Sequence, residues 1–378
     1  NIPLWHRSDL LACFINNGIG IAVAGTHGKT TTTSMAALIL EEGGLDPTAI
    51  VGGEVANFNS NARLGSGPYL VAEACESDHS FLRYYPEIAV ITNIEADHLE
   101  FYDGSFDKLL DTYADFIKHV KPGGAVVYCA DDGHVQKIMA AYKGRKIAYG
   151  INEFADYTAV ALTSERGCFQ FDLLEKGEAL GRVVLHAPGK HNVANALAAA
   201  AVARLLGVGF EAISEALASF EGARRRFQVL GISRNIAVID DYAHHPTEVK
   251  ATLAAAREYS RGRVIAIFQP HRYTRLRFFM DEFAISFAAA DKLLLLDVYP
   301  AGEEALPGIT AAALQEKIQA GAEVPVDYCR TREQVLELLK KEAQEGDTVV
   351  FMGAGDISDT ARVYYQEILG GREGTDAS

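Results

Sequence analysis

Cysteine is scarce in this 378-residue chain: Cys13, Cys75, Cys129, Cys168 and Cys329 are odd in number, widely spaced and contain no C-x-x-C pair. That argues against a disulfide framework or a zinc cage and favours a reducing, cytoplasmic setting. Long apolar runs are lacking too. No stretch approaches the roughly 18 uninterrupted apolar residues of a membrane span, and the start shows no basic-then-apolar signal pattern. A soluble protein without membrane insertion is expected. Positive charge is also short: 35 Lys and Arg against 50 Asp and Glu give a formal charge of −15. Such a surface repels nucleic acid and anionic lipid, so any phosphate ligand must be met by a local device. No internal repeat with a period of about 20–50 residues is present.

What remains is an ordinary globular composition, 49% hydrophobic and 22% charged. The length suits two or three domains of about 100–200 residues each. Short apolar β-rich runs at 20–24, 69–74, 88–93 and 125–130 alternate with helical patterns at 29–42 and about 105–120, the signature of parallel strands with helical crossovers. Residues 157–187 differ, reading as three strands of an antiparallel meander. Two helices follow, roughly 191–206 and 210–220, the first rich in alanine. Glu221 to Arg226 (EGARRR) reads as an interdomain hinge. Beyond it the alternation restarts with apolar runs at 236–240, 264–268, 292–298 and 348–353, which look like buried parallel strands.

The strongest local motif is Gly25-Thr26-His27-Gly28-Lys29-Thr30, which follows an apolar strand and opens a helix, as a P-loop does. Glycines let backbone N–H groups turn toward a phosphate, and the helix N-terminus adds partial positive charge. Lys29 reaches outer phosphates in this reading, and the Thr30 hydroxyl meets Mg²⁺. Thr31 is counted with the loop, although Thr31 to Thr33 also read simply as capping and packing. Glu73 ends a strand, where an open parallel sheet faces its ligand crevice, and a carboxylate there suits Mg²⁺. Glu76 and Asp78 read instead as a solvated acidic loop. His98 follows another strand end.

Asn192 and His191 open the alanine-rich helix, as a helix start or as a nucleotide contact. Arg224 to Arg226 read as a solvated hinge or as phosphate-neutralising charge. After the strand at 236–240 comes Asp240-Asp241-Tyr242-Ala243-His244-His245-Pro246, whose spacing and lack of cysteine argue against zinc. Arg272, Arg275 and Arg277 follow the next strand, suited to a carboxylate or phosphate, or to simple charge compensation.

Taken in order, GTHGKTTTT, EACESDHSFL, NIEADHLEFY, APGKHNVANALAA, FEGARRRF, DDYAHHPTEV and FQPHRYTR resemble the Mur ligases over essentially the whole chain. The resemblance implies an α/β fold: a P-loop central domain with a mostly parallel sheet and a small antiparallel addition, then a Rossmann-like α/β domain. The corresponding boundaries are 1–17 as a linker, 18–222 as the ATP-binding domain, 223–370 as the amino-acid-binding domain, and 371–378 as a frayed tail. The linker is expected to follow a UDP-binding domain that lies outside this sequence. The implied reaction is ATP-dependent amide formation between UDP-N-acetylmuramate and L-alanine through an acyl phosphate, in cytoplasmic peptidoglycan precursor synthesis.

Carried over residue by residue, Gly25, Thr26, His27, Gly28, Lys29, Thr30 and Thr31 correspond to the ATP loop. Thr30, Glu73 and His98 correspond to Mg²⁺ ligands, and Lys29, His98 and His244 to catalytic groups. His191 and Asn192 match the adenine contact, Arg226 a phosphate contact and Asp241 the ribose acid. Tyr242, His244, Arg272 and Arg275 match the acceptor side, the triphosphate being implied to lie between the two domains. One departure is Cys75, where many relatives carry aspartate. Two alternatives stand: a ligase that joins a recycled tripeptide to the same sugar nucleotide, and a P-loop ATP-binding regulatory module. Folylpolyglutamate synthase shares the phosphate loop, but the acceptor segments fit it poorly.

Overall fold

The computed structural model describes residues 4–321 and 324–371. The chain divides into two compact units, Asn1–Ser164 with Cys168–Ala223, and Glu165–Gly167 with Arg224–Ser378. Of the expected frayed tail, 372–378 lies outside the described residues.

In the first unit the order is α1 (Arg7–Asn17), β1 (Ile19–Ala24), α2 (Lys29–Glu42), β2 (Thr48–Val55), β3 (Ser60–Arg63), β4 (Tyr69–Glu73) and β5 (Ile88–Ile91). Then come α3 (Phe106–Lys118), β6 (Ala125–Cys129), α4 (Gly133–Ala141), β7 (Arg145–Gly150), β8 (Tyr157–Glu165), β9 (Cys168–Glu175), β10 (Glu178–Leu185), α5 (Lys190–Leu205) and α6 (Phe210–Ala218). All strands join one sheet in the order β10-β9-β8-β7-β6-β5-β1-β4-β2-β3. Its centre is parallel, whereas β2–β3 and β9–β10 pair antiparallel.

Alternation along β1 explains why both faces need helices. Ile21 and Val23 point into a core shared with Met35, Ile39 and Leu40 of α2 and the alanines of α5. Ala22 and Ala24 point into the opposite core with Tyr113 and Phe116 of α3 and Val135 and Ile138 of α4. A strand buried on both sides loses the polar alternation of a surface strand and becomes a continuous apolar run. The threonine run at the start of α2 has weak helix propensity, yet Thr30 to Thr33 are all buried; tertiary packing decides. Residues 7–17, expected as a linker, form α1, whose Ala12 and Ile15 pack into the second core.

The second unit contains β11 (Gln228–Ser233), β12 (Ile236–Asp241), α7 (Pro246–Tyr259), β13 (Val264–Phe268), α8 (Tyr273–Phe278), α9 (Met280–Ala284) and β14 (Lys292–Leu296). It continues with α10 (Ala311–Gly321), β15 (Val326–Cys329), α11 (Arg332–Glu342), β16 (Thr348–Met352) and α12 (Ile357–Val363). The sheet order is β11-β12-β16-β13-β14-β15, parallel except for the edge strand β11. Apolar clusters line both of its faces as well. No helix among the described residues is long and apolar enough to cross a membrane.

Candidate functional site

In the first sheet the chain leaves β1 and later returns on both sides of it, through β4 and β5. That reversal opens a crevice at the carboxyl ends of these strands, where open α/β sheets bind ligands. The Gly25–Gly28 loop fills it. Gly25 (φ 137°) and Gly28 (φ 82°) have backbone conformations that side chains resist. A Cβ on Gly25 would stand 1.9 Å from Thr92 Oγ1, and one on Gly28 2.6 Å from Asn195 Oδ1. The loop is stitched to the segment after β5. His27 N–H donates to Asn93 Oδ1 (2.8 Å), Thr26 N–H to the Asn93 carbonyl (3.0 Å), and Thr92 Oγ1 to the His27 carbonyl (2.6 Å). These bonds fix the loop backbone against the segment after β5.

Lys29 begins α2, and its ammonium folds back over the loop. It donates to the carbonyls of Gly25 and Thr26 (3.1 Å to the latter) and to both oxygens of Glu76 (2.9 and 3.1 Å). Burial opposes the ammonium's charge, but Glu76, supported by Cys75 and Glu73, outweighs it and leaves the pKa above the ordinary lysine value. Glu76 thus departs from the expected solvated loop residue: it is only 2% exposed. Asp78 is partly exposed and caps the Ser80 N–H at 3.0 Å.

Glu73 ends β4 opposite Val23 of β1. One oxygen accepts the Gly52 N–H (2.5 Å), and a Cβ on Gly52 would press within 2.8 Å of the other. Thr30 borders the same Gly52–Gly53 segment, a Cβ on Gly53 falling 3.5 Å from its methyl. Two oxygen donors beside a stretch where side chains would intrude suit a small hard cation such as Mg²⁺, which keeps several waters. His98 follows β5 in a left-handed conformation, with Asp97 and Glu100 carboxylates 3.6 and 3.8 Å from its ring nitrogens. Asn192 lies in the first turn of α5 and accepts from Asn195 (3.0 Å), which contacts Thr32 of α2 (3.2 Å). His191 lies one residue before it, its ring close against Gly189.

The second unit gathers its groups at the carboxyl ends of β12 and β13. Arg225 donates to the Gly353 carbonyl (2.5 Å) and lies 3.7 Å from the buried Asp240. Both Arg225 and Arg226 stand over the Tyr242 ring, at 5.0 and 5.3 Å from its centroid. Arg226 reaches Glu248 at 3.4 Å. Asp241 is buried, and its two oxygens accept the N–H groups of Phe227 (2.6 Å) and Ala243 (2.7 Å). Burial pushes the carboxyls of Asp240 and Asp241 up to about 6 despite the neighbouring arginines.

Pro246 opens α7 and Glu248 caps it, accepting the N–H groups of His244 (3.0 Å) and His245 (3.3 Å). Part of HHPTEV is therefore helix-start chemistry. The His244 ring is held between the Tyr242 carbonyl (2.8 Å) and Glu248 (3.2 Å), and its centroid stands 5.9 Å from that of His271. His271 stacks on Tyr299 and contacts the Arg275 guanidinium at 3.3 Å. Burial, then Arg275 and Arg272, pull its pKa down to about 4, so the ring is neutral at neutral pH. Arg275 is 7% exposed, and Arg272 directly precedes α8 with a positive φ of 69°.

Each unit thus assembles its own set. The family models extend the comparison: the Mur ligase middle domain matches residues 23–203 and the Mur ligase glutamate ligase domain residues 225–355. The chain belongs to the Mur ligase family. Among Mur ligases it is 46% identical to UDP-N-acetylmuramate–L-alanine ligase of Symbiobacterium thermophilum, over 96% of this chain and 76% of that protein. To the protein of the same name from Geotalea daltonii it is 47% identical, over 94% and 78%. A crystal structure of UDP-N-acetylmuramate–alanine ligase from Thermotoga maritima superposes with a TM-score of 0.77 at 29% identity, covering 96% of this chain and 78% of that one. A murein peptide ligase from Psychrobacter arcticus gives 0.68 at 25%, covering 95% and 79%.

Asn195 and Glu248 at these Mur ligase sites were not singled out in the sequence, Glu76 was read only as a solvated loop residue, and Arg225 only as one of three hinge arginines. Asn195 had a legible signal, lying three residues beyond Asn192 and hence on the same helix face. Glu248 had one in its place at the third helical position after His245. Glu76 had none, because a carboxylate in an acidic loop reads as solvated until its lysine partner, 47 positions away, is seen.

Proposed function

We propose that this chain carries the ATP and amino-acid groups of an enzyme that joins L-alanine to the lactyl carboxylate of UDP-N-acetylmuramate, releasing ADP and phosphate. The observation that carries the reading is the glycine loop at the crevice of β1, hydrogen-bonded to the segment after β5, with Lys29 folded over it and Glu73 at the neighbouring strand end. A carboxylate is a poor electrophile, so it must first become an acyl phosphate. Bringing it to an anionic γ-phosphate demands concentrated positive charge and in-line positioning.

In this reading the loop N–H groups and Lys29 hold the phosphates and stabilise transferring charge. Thr30, Glu73 and His98 hold Mg²⁺, which when bound neutralises phosphate charge. Asn192, with His191, contacts the adenine. Arg226 meets phosphate, and Asp241 meets the ribose through lone pairs that its backbone contacts leave free. Arg272 and Arg275 clamp the alanine carboxylate, a task for which paired guanidinium donors are suited. Tyr242 lines the acceptor side. His244, its ring held by Glu248, takes a proton from the attacking amine.

The names of the relatives support L-alanine as acceptor. The test is phosphate release with UDP-N-acetylmuramate present and L-alanine or the free tripeptide as acceptor. Release that requires the sugar nucleotide and favours L-alanine is expected. Preference for the tripeptide would redirect the reading to peptide ligation, and slow release indifferent to both acceptors would refute it.

A further inference from the structure

Resting on the nucleotide assignment above, we infer that Glu76 is a positioning residue that restrains Lys29 until phosphate displaces it. An ammonium has three N–H bonds. Here they are engaged by the Gly25 carbonyl, the Thr26 carbonyl and the Glu76 carboxylate. Two of these partners belong to the loop itself and are neutral. The third is the one negative group among them, and it is 2% exposed. A phosphate approaching Lys29 meets an acceptor of its own sign already on the ammonium. Adjacent like charges in a poorly solvated site repel strongly.

The backbone at Glu76 is pinned. Its carbonyl accepts the Tyr102 hydroxyl and the His79 N–H (3.1 Å), so the exchange falls to the side chain rather than to the loop. Glu76 then does two things. In the free protein it keeps a buried lysine charged and its side chain ordered over the loop. On binding it yields the ammonium, so affinity for the outer phosphates is set lower than the loop alone would give. A fraction of the protein that is competent only when a competitor leaves lowers apparent affinity by that fraction.

The test is calorimetric titration of ADP and of AMP into the whole chain, with Mg²⁺ and separately with EDTA, for the wild type, Glu76→Gln, Glu76→Asp, Lys29→Met and the Lys29→Met/Glu76→Gln pair. Glu76→Gln keeps the shape and one acceptor but removes the charge, and is expected to bind ADP about ten-fold tighter. AMP, which lacks the outer phosphate, is expected to show no gain. Glu76→Asp withdraws the carboxylate by a methylene and is expected to gain about three-fold, which serves should the glutamine variant not fold. In the Lys29→Met background the glutamine substitution is expected to lose most of its effect, since Glu76 acts through Lys29.

Unchanged or weaker ADP binding by a folded Glu76 variant would overturn the inference, as would a loss of affinity confined to the Mg²⁺ arm, which would make Glu76 a metal ligand. Failure of the wild type to bind ADP at all would overturn the nucleotide assignment itself.

Discussion

Replacing Asp240 by asparagine is expected to stabilise the second unit at neutral pH and to leave it unchanged in acid. Asp240 is fully buried at the end of β12, and burial raises its carboxyl from 3.8 to about 6, with Arg225 at 3.7 Å and Arg362 offsetting only part of the cost. The folded unit therefore binds this proton more tightly than the unfolded chain. Well below 3.8 both states are protonated and nothing is lost. As pH rises from about 4 to about 6 the unfolded chain ionises first, and stability falls. Above that range the full cost applies: about two pKa units, on the order of 3 kcal/mol. Asparagine mimics the protonated acid and removes this slope. The lone tryptophan, Trp5, lies in the first unit and is blind to the event. Amide hydrogen exchange of the Gln228–Asp241 segment, compared between wild type and Asp240→Asn at matched pH, reports it directly. Equal protection at neutral pH would show that the Arg225 pairing outweighs desolvation and refute the reasoning, as would a difference undiminished well below 3.8, which ionisation of Asp240 could not cause.

Three further outcomes can be checked. Gly28→Ala puts a Cβ in a left-handed conformation and 2.6 Å from Oδ1 of Asn195, a side chain fixed by accepting from Thr32 at that oxygen and donating its amide N–H to Asn192. The conformation alone costs about 1–2 kcal/mol, so a lower unfolding midpoint and at least a ten-fold (order-of-magnitude) loss of ATP affinity are expected by titration. His271, whose pKa is pulled down to about 4, is expected to show no imidazolium signal by NMR at pH 5.5 (an approximate working value). Its folded pKa lies below the unfolded one, so its stability contribution is complete above about 6.5 and is lost as pH falls toward 4. Arg275→Lys keeps the charge but not the planar fork, and is expected to raise the KM for L-alanine about ten-fold with less effect on ATP; an unchanged KM would remove Arg275 from the acceptor clamp.

The fold was largely legible because its central strands are buried on both faces. IAVID, VIAIF and GIAVA carry no polar alternation, and the turn residues around them mark the ends. The edges were less so. Strands β2 and β3 are partly exposed and β2 is interrupted by Gly52-Gly53, while β11 and β15 are partly exposed edge strands, β15 only four residues long, so period did not set them apart. Residues 7–17 have only a weakly apolar face, which hid helix α1. The site divides the same way. The glycine loop announces itself through local backbone chemistry, as does the helix start at Pro246. Glu76, Asp240 and Arg225 take their character from partners distant in sequence, such as Gly353 for Arg225, and from burial that only the folded unit provides.

The most direct test of the nucleotide assignment is a calorimetric titration of ATP with Mg²⁺ into the wild-type chain and into Lys29→Ala. Saturable binding by the wild type is expected, with a loss of roughly a hundred-fold or more in the variant, which removes the phosphate-facing charge and leaves Glu76 buried without its partner. Equal affinity in the two proteins, with both folded, would contradict the role given to the loop and to Lys29.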